Sequence, residues 1–208
     1  ELCGENKYPG PMNCKNEYRP GGLYETMLTR VCPYTLKGFL YYQGESDDHK
    51  PKSYYKLFTN MITLWRTIWE DDELPFIMVQ LPMFKYEKDP DYKHWCLIRE
   101  AQMRAFKTVK NTGIAVISDC GEFNNIHPVD KVPVGERLCL QAEKLAYGMD
   151  VDAFGPIYKS AVYTENGVEL SFDHAENGFK VKGDKLGTFE IAGADKLFRR
   201  ASAEIRGD

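Results

Sequence analysis

The stretch G-F-L-Y-Y-Q-G-E-S-D, Gly38 to Asp47, decides how this chain is read. Its first half, Gly38 to Tyr42, is a short apolar and aromatic run, the pattern of a buried strand. Two further runs have the same character: P-F-I-M-V-Q-L, Pro75 to Leu81, and G-I-A-V-I-S, Gly113 to Ser118. None alternates polar with apolar, so each is expected to be covered on both faces, as parallel strands are. Between the first two, Ser53 to Trp69 repeats large apolar residues at helical spacing: Tyr54, Leu57, Phe58, Met61, Ile62, Leu64, Trp65 and Ile68. The acidic break Glu70 to Glu73 ends that helix. Pro82 to Asp91 reads as a polar loop and Lys93 to Val109 as a second helix. Val134 to Gly148 reads as a third, with Gly148 as its stop. Strands joined in succession by helices must be parallel, which predicts an α/β protein with a three-layer parallel sheet.

The pattern changes after Phe154-Gly155-Pro156. Short stretches then alternate apolar and polar residues: Ala161 to Tyr163, Gly167 to Phe172, Gly178 to Val181, Thr188 to Ala192 and Ala203 to Ile205. Turns such as E-N-G separate them, as expected of an antiparallel β-rich segment. The expected division is residues 1–154 for the α/β domain and 155–208 for the β-rich region. Residues 1–22, rich in Gly, Pro and Asn, read as an irregular loop. Both ends read as cuts within a larger protein.

At 208 residues the chain is long enough for one full core or one domain and part of another. A net charge of −4 argues against a nucleic-acid partner. No apolar run reaches membrane-span length, and Glu1-Leu2-Cys3-Gly4 does not open a signal peptide. Cys3, Cys14, Cys32, Cys96, Cys120 and Cys139 lack paired metal spacing. They are read as free buried thiols, with a Cys3–Cys14 loop disulfide left open for an exported protein.

In a parallel α/β sheet, ligands bind at the carboxyl ends of the strands. Gln43-Gly44-Glu45 follows the first strand directly. Asp119-Cys120-Gly121 follows the third, and His127 comes in the same loop. A loop histidine at that edge can take a proton from a hydroxyl and return it to a leaving alcohol. Pro128 holds His127 in extended backbone. The Gln43 side chain can donate to a developing oxyanion, and Gly44 permits close backbone approach. Each has a plain structural counterpart. His127 reads equally as a turn residue, and Gln43 as the end of its strand. Glu45, Asp47, Asp48 and His49 read as a solvated helix flank rather than a metal cage. Trp65 and Trp69 read as core, and His94 and His174 as structural or surface.

Together, the Gln-Gly-Glu block and the block D-C-G-E-F-N-N-I-H-P, Asp119 to Pro128, make a specific pair, each behind its own strand. With P-G-G-L-Y-E-T-M, P-F-I-M-V-Q-L-P and F-E-I-A-G-A-D-K-L-F, they give the chain from about Gly21 to Ala203 a clear likeness. It resembles the sialate O-acetylesterase family of the SGNH (GDSL-like) hydrolase superfamily. The resemblance implies a partial SGNH-like domain and a metal-free, cofactor-free serine carboxylic-ester hydrolase. Its substrate would be an O-acetylated sugar, sialic acid first. It implies His127 as catalytic base, Gln43 as oxyanion-hole side chain and Glu45 as support for the loop. It leans to a periplasmic or secreted protein, although the residues leave the compartment open.

One part of the family pattern is missing. Residues 1–45 contain no serine, and no Gly-Gln-Ser-Asn type block is present. Ser46 has Gly44 before it but Asp48 after it, an incomplete nucleophile elbow. Ser46 reads better as a cap, and Ser118 merely ends a strand. The nucleophile is expected in a preceding N-terminal segment, cut away or supplied by another polypeptide. The acid that orients the base is open as well. Three residues before His127 stands Asn124, with Asn125 next to it. Asp119 and Glu122 are alternatives, and so is a backbone carbonyl. Rival readings are an acetylxylan or related polysaccharide deacetylase, a catalytically inactive carbohydrate-binding relative, and a purely structural domain.

Overall fold

β1 (Phe39–Tyr41), β2 (Phe76–Gln80) and β3 (Thr112–Val116) lie side by side in that order, all parallel. They belong to a computed structural model that describes residues 21–84, 93–181, 183–184, 186–187 and 189–207. Tyr41 pairs with Met78, and Met78 with Ile114, so β1 to β3 are in register and point their carboxyl ends the same way. Every residue of β2 is buried, the polar Gln80 at its end included, as a strand between two helix layers must be.

Successive side chains of β2 point to opposite faces. Phe76 meets Phe58 and Trp65 of α2 (Pro51–Ile68). Gln80 on the same face donates its amide to the Arg99 carbonyl of α3 (Lys93–Thr108). Val79 on the other face clusters with Ala115, Ile117 and Val134, the last from α4 (Val132–Tyr147). Thus α2 and α3 form one layer, the sheet a second and α4 a third. Phe39, Tyr41, Phe58, Trp65, Trp69 and Phe76 form one aromatic cluster with ring centroids 4.9–6.1 Å apart. Phe76 is fully buried within it, and truncation to alanine is expected to cost about 3–5 kcal/mol. Trp65 and Trp69 pack on this cluster as expected of structural residues, but both are half-buried rather than fully in the core. Arg66 of α2 is buried too, and donates to the carbonyls of Leu74, Lys110 and Asn111 at 2.9 Å each. It holds the strand-leading turns before β2 and β3 together.

The parallel α/β architecture is the one expected, with local differences. α2 begins at Pro51 rather than Ser53, because proline suits the first helical position, where no N–H is needed. β3 ends at Val116, so Ser118 lies beyond the strand. A π-turn (Tyr24–Leu28) running into α1 (Thr29–Val31) was not expected. Gly148 does stop α4, with the left-handed φ of 66° that a C-terminal glycine takes readily. Cys32, Cys96, Cys120 and Cys139 are free thiols, but none is buried: Cys96 and Cys139 are exposed and the other two half-buried. Cys3, Cys14, all but Gly21 and Gly22 of the loop read over residues 1–22, and most of the polar loop 82–91 lie outside the described residues.

The chain divides into two compact units, Glu1–Ala153 and Phe154–Asp208. In the second, β4 (Ile157–Thr164) and β5 (Gly167–Asp173) form an antiparallel hairpin closed at Glu165-Asn166. β6 (Glu190–Ile191) pairs antiparallel with β7 (Arg199–Arg200). No strand forms at 178–181, because Gly178 turns with φ 77° and donates back to the Ala175 carbonyl. Ala203 to Ile205 is also not a strand; the partner of β6 is Arg199–Arg200 instead.

Candidate active site

The carboxyl ends of β1 and β3 carry the two motifs on one edge of the sheet. Directly after β1, Gln43 is half-buried and Gly44 buried. The Gln43 carbonyl accepts from the Tyr54 hydroxyl at 3.2 Å and from the Gln102 amide at 3.1 Å. Gly44 has φ 143°, and a Cβ there would sit 3.2 Å from Gln102, Ile98 and Tyr54 alike. Glycine is required on both counts. Glu45 then opens a short 3₁₀ turn, Glu45–Asp47.

The Gln43 side chain is oriented by two neighbours. Its Nε2 donates to Asp47 Oδ2 at 2.5 Å, and its Oε1 accepts from the Tyr41 hydroxyl at 3.2 Å. A carboxylate only accepts, so the nitrogen must be the atom facing Asp47. Burial, reinforced by Asp47 and then Glu45, pushes the Tyr41 phenol up to about 12, which keeps it a donor. The second N–H of Gln43 Nε2 is left over from this arrangement, since an amide nitrogen carries two.

The loop after β3 is held at its root by α4. Arg137 donates to the Val116 carbonyl at 2.6 Å and grips both Asp119 oxygens at 2.6 and 2.8 Å. The guanidinium holds the Asp119 carboxyl well below the usual carboxylate range. Gly121 then lies against the turn after β2: a Cβ there would come within 2.5 Å of the Met83 carbonyl oxygen. Farther out, Glu122 accepts from the Val129 N–H at 2.8 Å and from Asn125 Nδ2 at 3.1 Å. Those donors, Val129 first, lower the Glu122 carboxyl. Asn125 Oδ1 accepts the main-chain N–H of His127 at 3.0 Å. His127 is exposed at the crest, and Pro128 behind it is buried. Lys131 closes the loop with its ammonium 4.9 Å from the Tyr42 ring, across to the end of β1.

The candidate residues are therefore placed as follows. Gln43, Gly44 and Glu45 share the β1 turn; Asp119, Glu122, Asn125 and His127 share the β3 loop. Among the described residues, no hydrogen bond joins the His127 ring to Asp119, whose oxygens face Arg137. Asn125 is engaged with the backbone of His127 rather than with its ring. Ser46 is exposed, Ser118 is half-buried, and neither is bonded to His127. Tyr54 was read only as a helix core residue and Asp47 only as solvated flank, whereas Asp47 accepts from the Gln43 amide and Asp48 is buried. Tyr41, Gln102 and Arg137 were not singled out from the sequence. Only Gln102 left a trace there: it stands on the inward stripe Trp95, Ile98, Gln102, Ala105, where a polar residue needs a buried partner.

The chain matches the profile of the family described as carbohydrate esterase, sialic acid-specific acetylesterase, over residues 12–141. It belongs to that family, the one to which the Gln-Gly-Glu and Ile-His-Pro blocks pointed. The sialate O-acetylesterase of Mus musculus is 33% identical over 190 residues, covering 82% of this chain and 34% of that protein. The Homo sapiens sialate O-acetylesterase is 34% identical over 143 residues, covering 61% of this chain and 27% of that protein. A crystal structure of a carbohydrate acetylesterase from Xanthomonas citri superposes with a TM-score of 0.81 at 34% identity. It covers 91% of this chain and 45% of that one. The chain thus spans about a third of the curated relatives it matches.

Proposed function

We propose that the protein containing this chain is a carbohydrate O-acetylesterase that removes acetyl groups from O-acetylated sialic acid by serine–histidine acyl transfer. The observation that carries this is the placement of His127 and an oriented Gln43 amide on one edge of a parallel sheet, in a chain of the sialic acid-specific acetylesterase family. A serine hydroxyl attacks the acetyl carbonyl while His127 takes its proton. The spare N–H of Gln43, with Gly44 and Glu45 shaping the turn, meets the oxyanion that forms. Collapse breaks the bond to the sugar oxygen, which leaves as a hydroxyl by taking the proton from His127, and water then releases acetate by the same steps.

The nucleophile is supplied from outside these 208 residues. The neighbours of Ser46 and Ser118 support this, since neither serine is bonded to His127. The His127 ring is oriented by a group other than Asp119, a reading supported by the bidentate Asp119–Arg137 pair. Glu122, which stitches the loop, serves His127 through the backbone.

The test is fluorophosphonate labelling with peptide mapping, on this chain and on the full-length protein. Acetate release from O-acetylated sialic acid and from acetylated xylan is measured in parallel. Labelling of an upstream serine only, with release from the sialic acid, is expected. A label on Ser46 or Ser118 overturns the placement of the nucleophile. Preference for xylan overturns the substrate. Sugar binding with neither label nor release makes the protein an inactive relative.

A further inference from the structure

The deepest polar group near the site is not on either motif. Gln102 of α3 is 1% exposed, and its amide spans two strand ends. Its Oε1 accepts the Leu81 N–H, just after β2, at 3.0 Å. Its Nε2 donates to the Gln43 carbonyl, just after β1, at 3.1 Å, and lies 3.3 Å from the Tyr54 hydroxyl. The Leu81 N–H can only donate and the Gln43 carbonyl can only accept. Only one of the two amide orientations therefore satisfies both.

We infer that Gln102 is a positioning residue for ester hydrolysis: it fixes the height of the Gln43 turn against the end of β2 and so aims the Gln43 side chain. This rests on the reading of Gln43 as oxyanion donor. Two observations favour a positioning role over simple filling of the core. β1 is short and ends at Tyr41, so no ladder bond reaches Gln43. The turn's carbonyl is instead bonded by Tyr54 and Gln102, and Gly44 leaves no space between them and the chain. A lost bond at Gln102 translates directly into displacement of the residue whose amide must meet the oxyanion. Displacements of about 1 Å near a reacting centre cost on the order of 10²-fold in rate.

The experiment uses the full-length protein with Gln102→Leu, Gln102→Glu, Gln43→Ala and the double variant Gln43→Ala/Gln102→Leu. Each is assayed by acetate release below its melting temperature. Gln102→Leu is expected to lower kcat about tenfold or more with KM changed less than about twofold. Added to Gln43→Ala it is expected to lower kcat no further, because it acts through Gln43. Gln102→Glu keeps an acceptor for Leu81 but turns a carboxylate toward the Gln43 carbonyl. Protonation restores the donor, so the ratio of its kcat to wild type should rise as pH falls. That pH-dependent ratio keeps the test alive should Gln102→Leu fail to fold. A wild-type kcat in folded Gln102→Leu, fully additive losses in the double variant, or a pH-independent ratio for Gln102→Glu overturns the inference. An unchanged kcat in Gln43→Ala itself is a different failure: it removes the reading of Gln43 on which the inference stands.

Discussion

The Gln43 turn is fastened from outside itself. Tyr54 from α2 and Gln102 from α3 reach its carbonyl, and both are buried. The His127 loop is fastened largely from within: Asn125 and Val129 both donate to Glu122, while Arg137 of α4 grips Asp119 at the root and Lys131 lies over the Tyr42 ring. Core bonds open only when the core opens, whereas exposed local bonds yield to small perturbations. The two halves of one site therefore differ in how they fail. The Gln43 turn is held as firmly as the core, and His127 only as firmly as its own loop.

The largest effect that sharpens this contrast is at the crest of the loop. His127→Ala should lower kcat by about 10³-fold or more. It should leave the melting temperature nearly unchanged, because the ring is exposed and carries none of the loop's bonds. Acetate release and a thermal melt check both, and retained activity would refute the base. Gln43→Ala comes next, with kcat expected to fall about 10²-fold and KM little changed. A pure KM effect would make it a binding residue. Glu122→Ala should lower kcat about tenfold by loosening His127. In hydrogen exchange, the Val129 amide should lose protection while the Leu81 amide keeps it. Equal loss at both would break the comparison, since the loop would then share the core's fate.

The smallest effect is acid. Asp119 and Glu122 are both held below their ordinary values by partners of the folded loop. Their stabilisation is thus complete above the ordinary range near about pH 4 and is lost as pH falls through the lowered folded values. Amide protection in 119–130, taken relative to the intrinsic rate at each pH, should fall below about pH 4 before protection in β2 does. Simultaneous opening would count against a separately held loop.

The fold was legible where burial dictates composition. β2 is apolar from Phe76 to Val79 because both its faces are covered, and Gly148 marks a helix end because its backbone is left-handed. The motifs were legible because strands of a parallel sheet end at one edge. What holds the motifs was not. Asp119 shares the β3 loop with His127 in the sequence, but its partner Arg137 arrives from a helix 18 residues later. Asn125 was a candidate for the imidazole and proves to bind the backbone, a choice of turn geometry that composition does not disclose. The one signal that could have found Gln102 is a polar residue on an otherwise apolar helix stripe.

Gly121 also constrains the turn on which it lies. The main chain of the β3 loop rests on the main chain of the turn after β2, with no side chain as a spacer. Position 83 is therefore permissive in identity and strict in length. Its own side chain is exposed and replaceable, but a residue inserted or removed beside it would lift the platform on which the loop carrying His127 lies. Variation in this part of the molecule should accumulate as substitutions and avoid gaps.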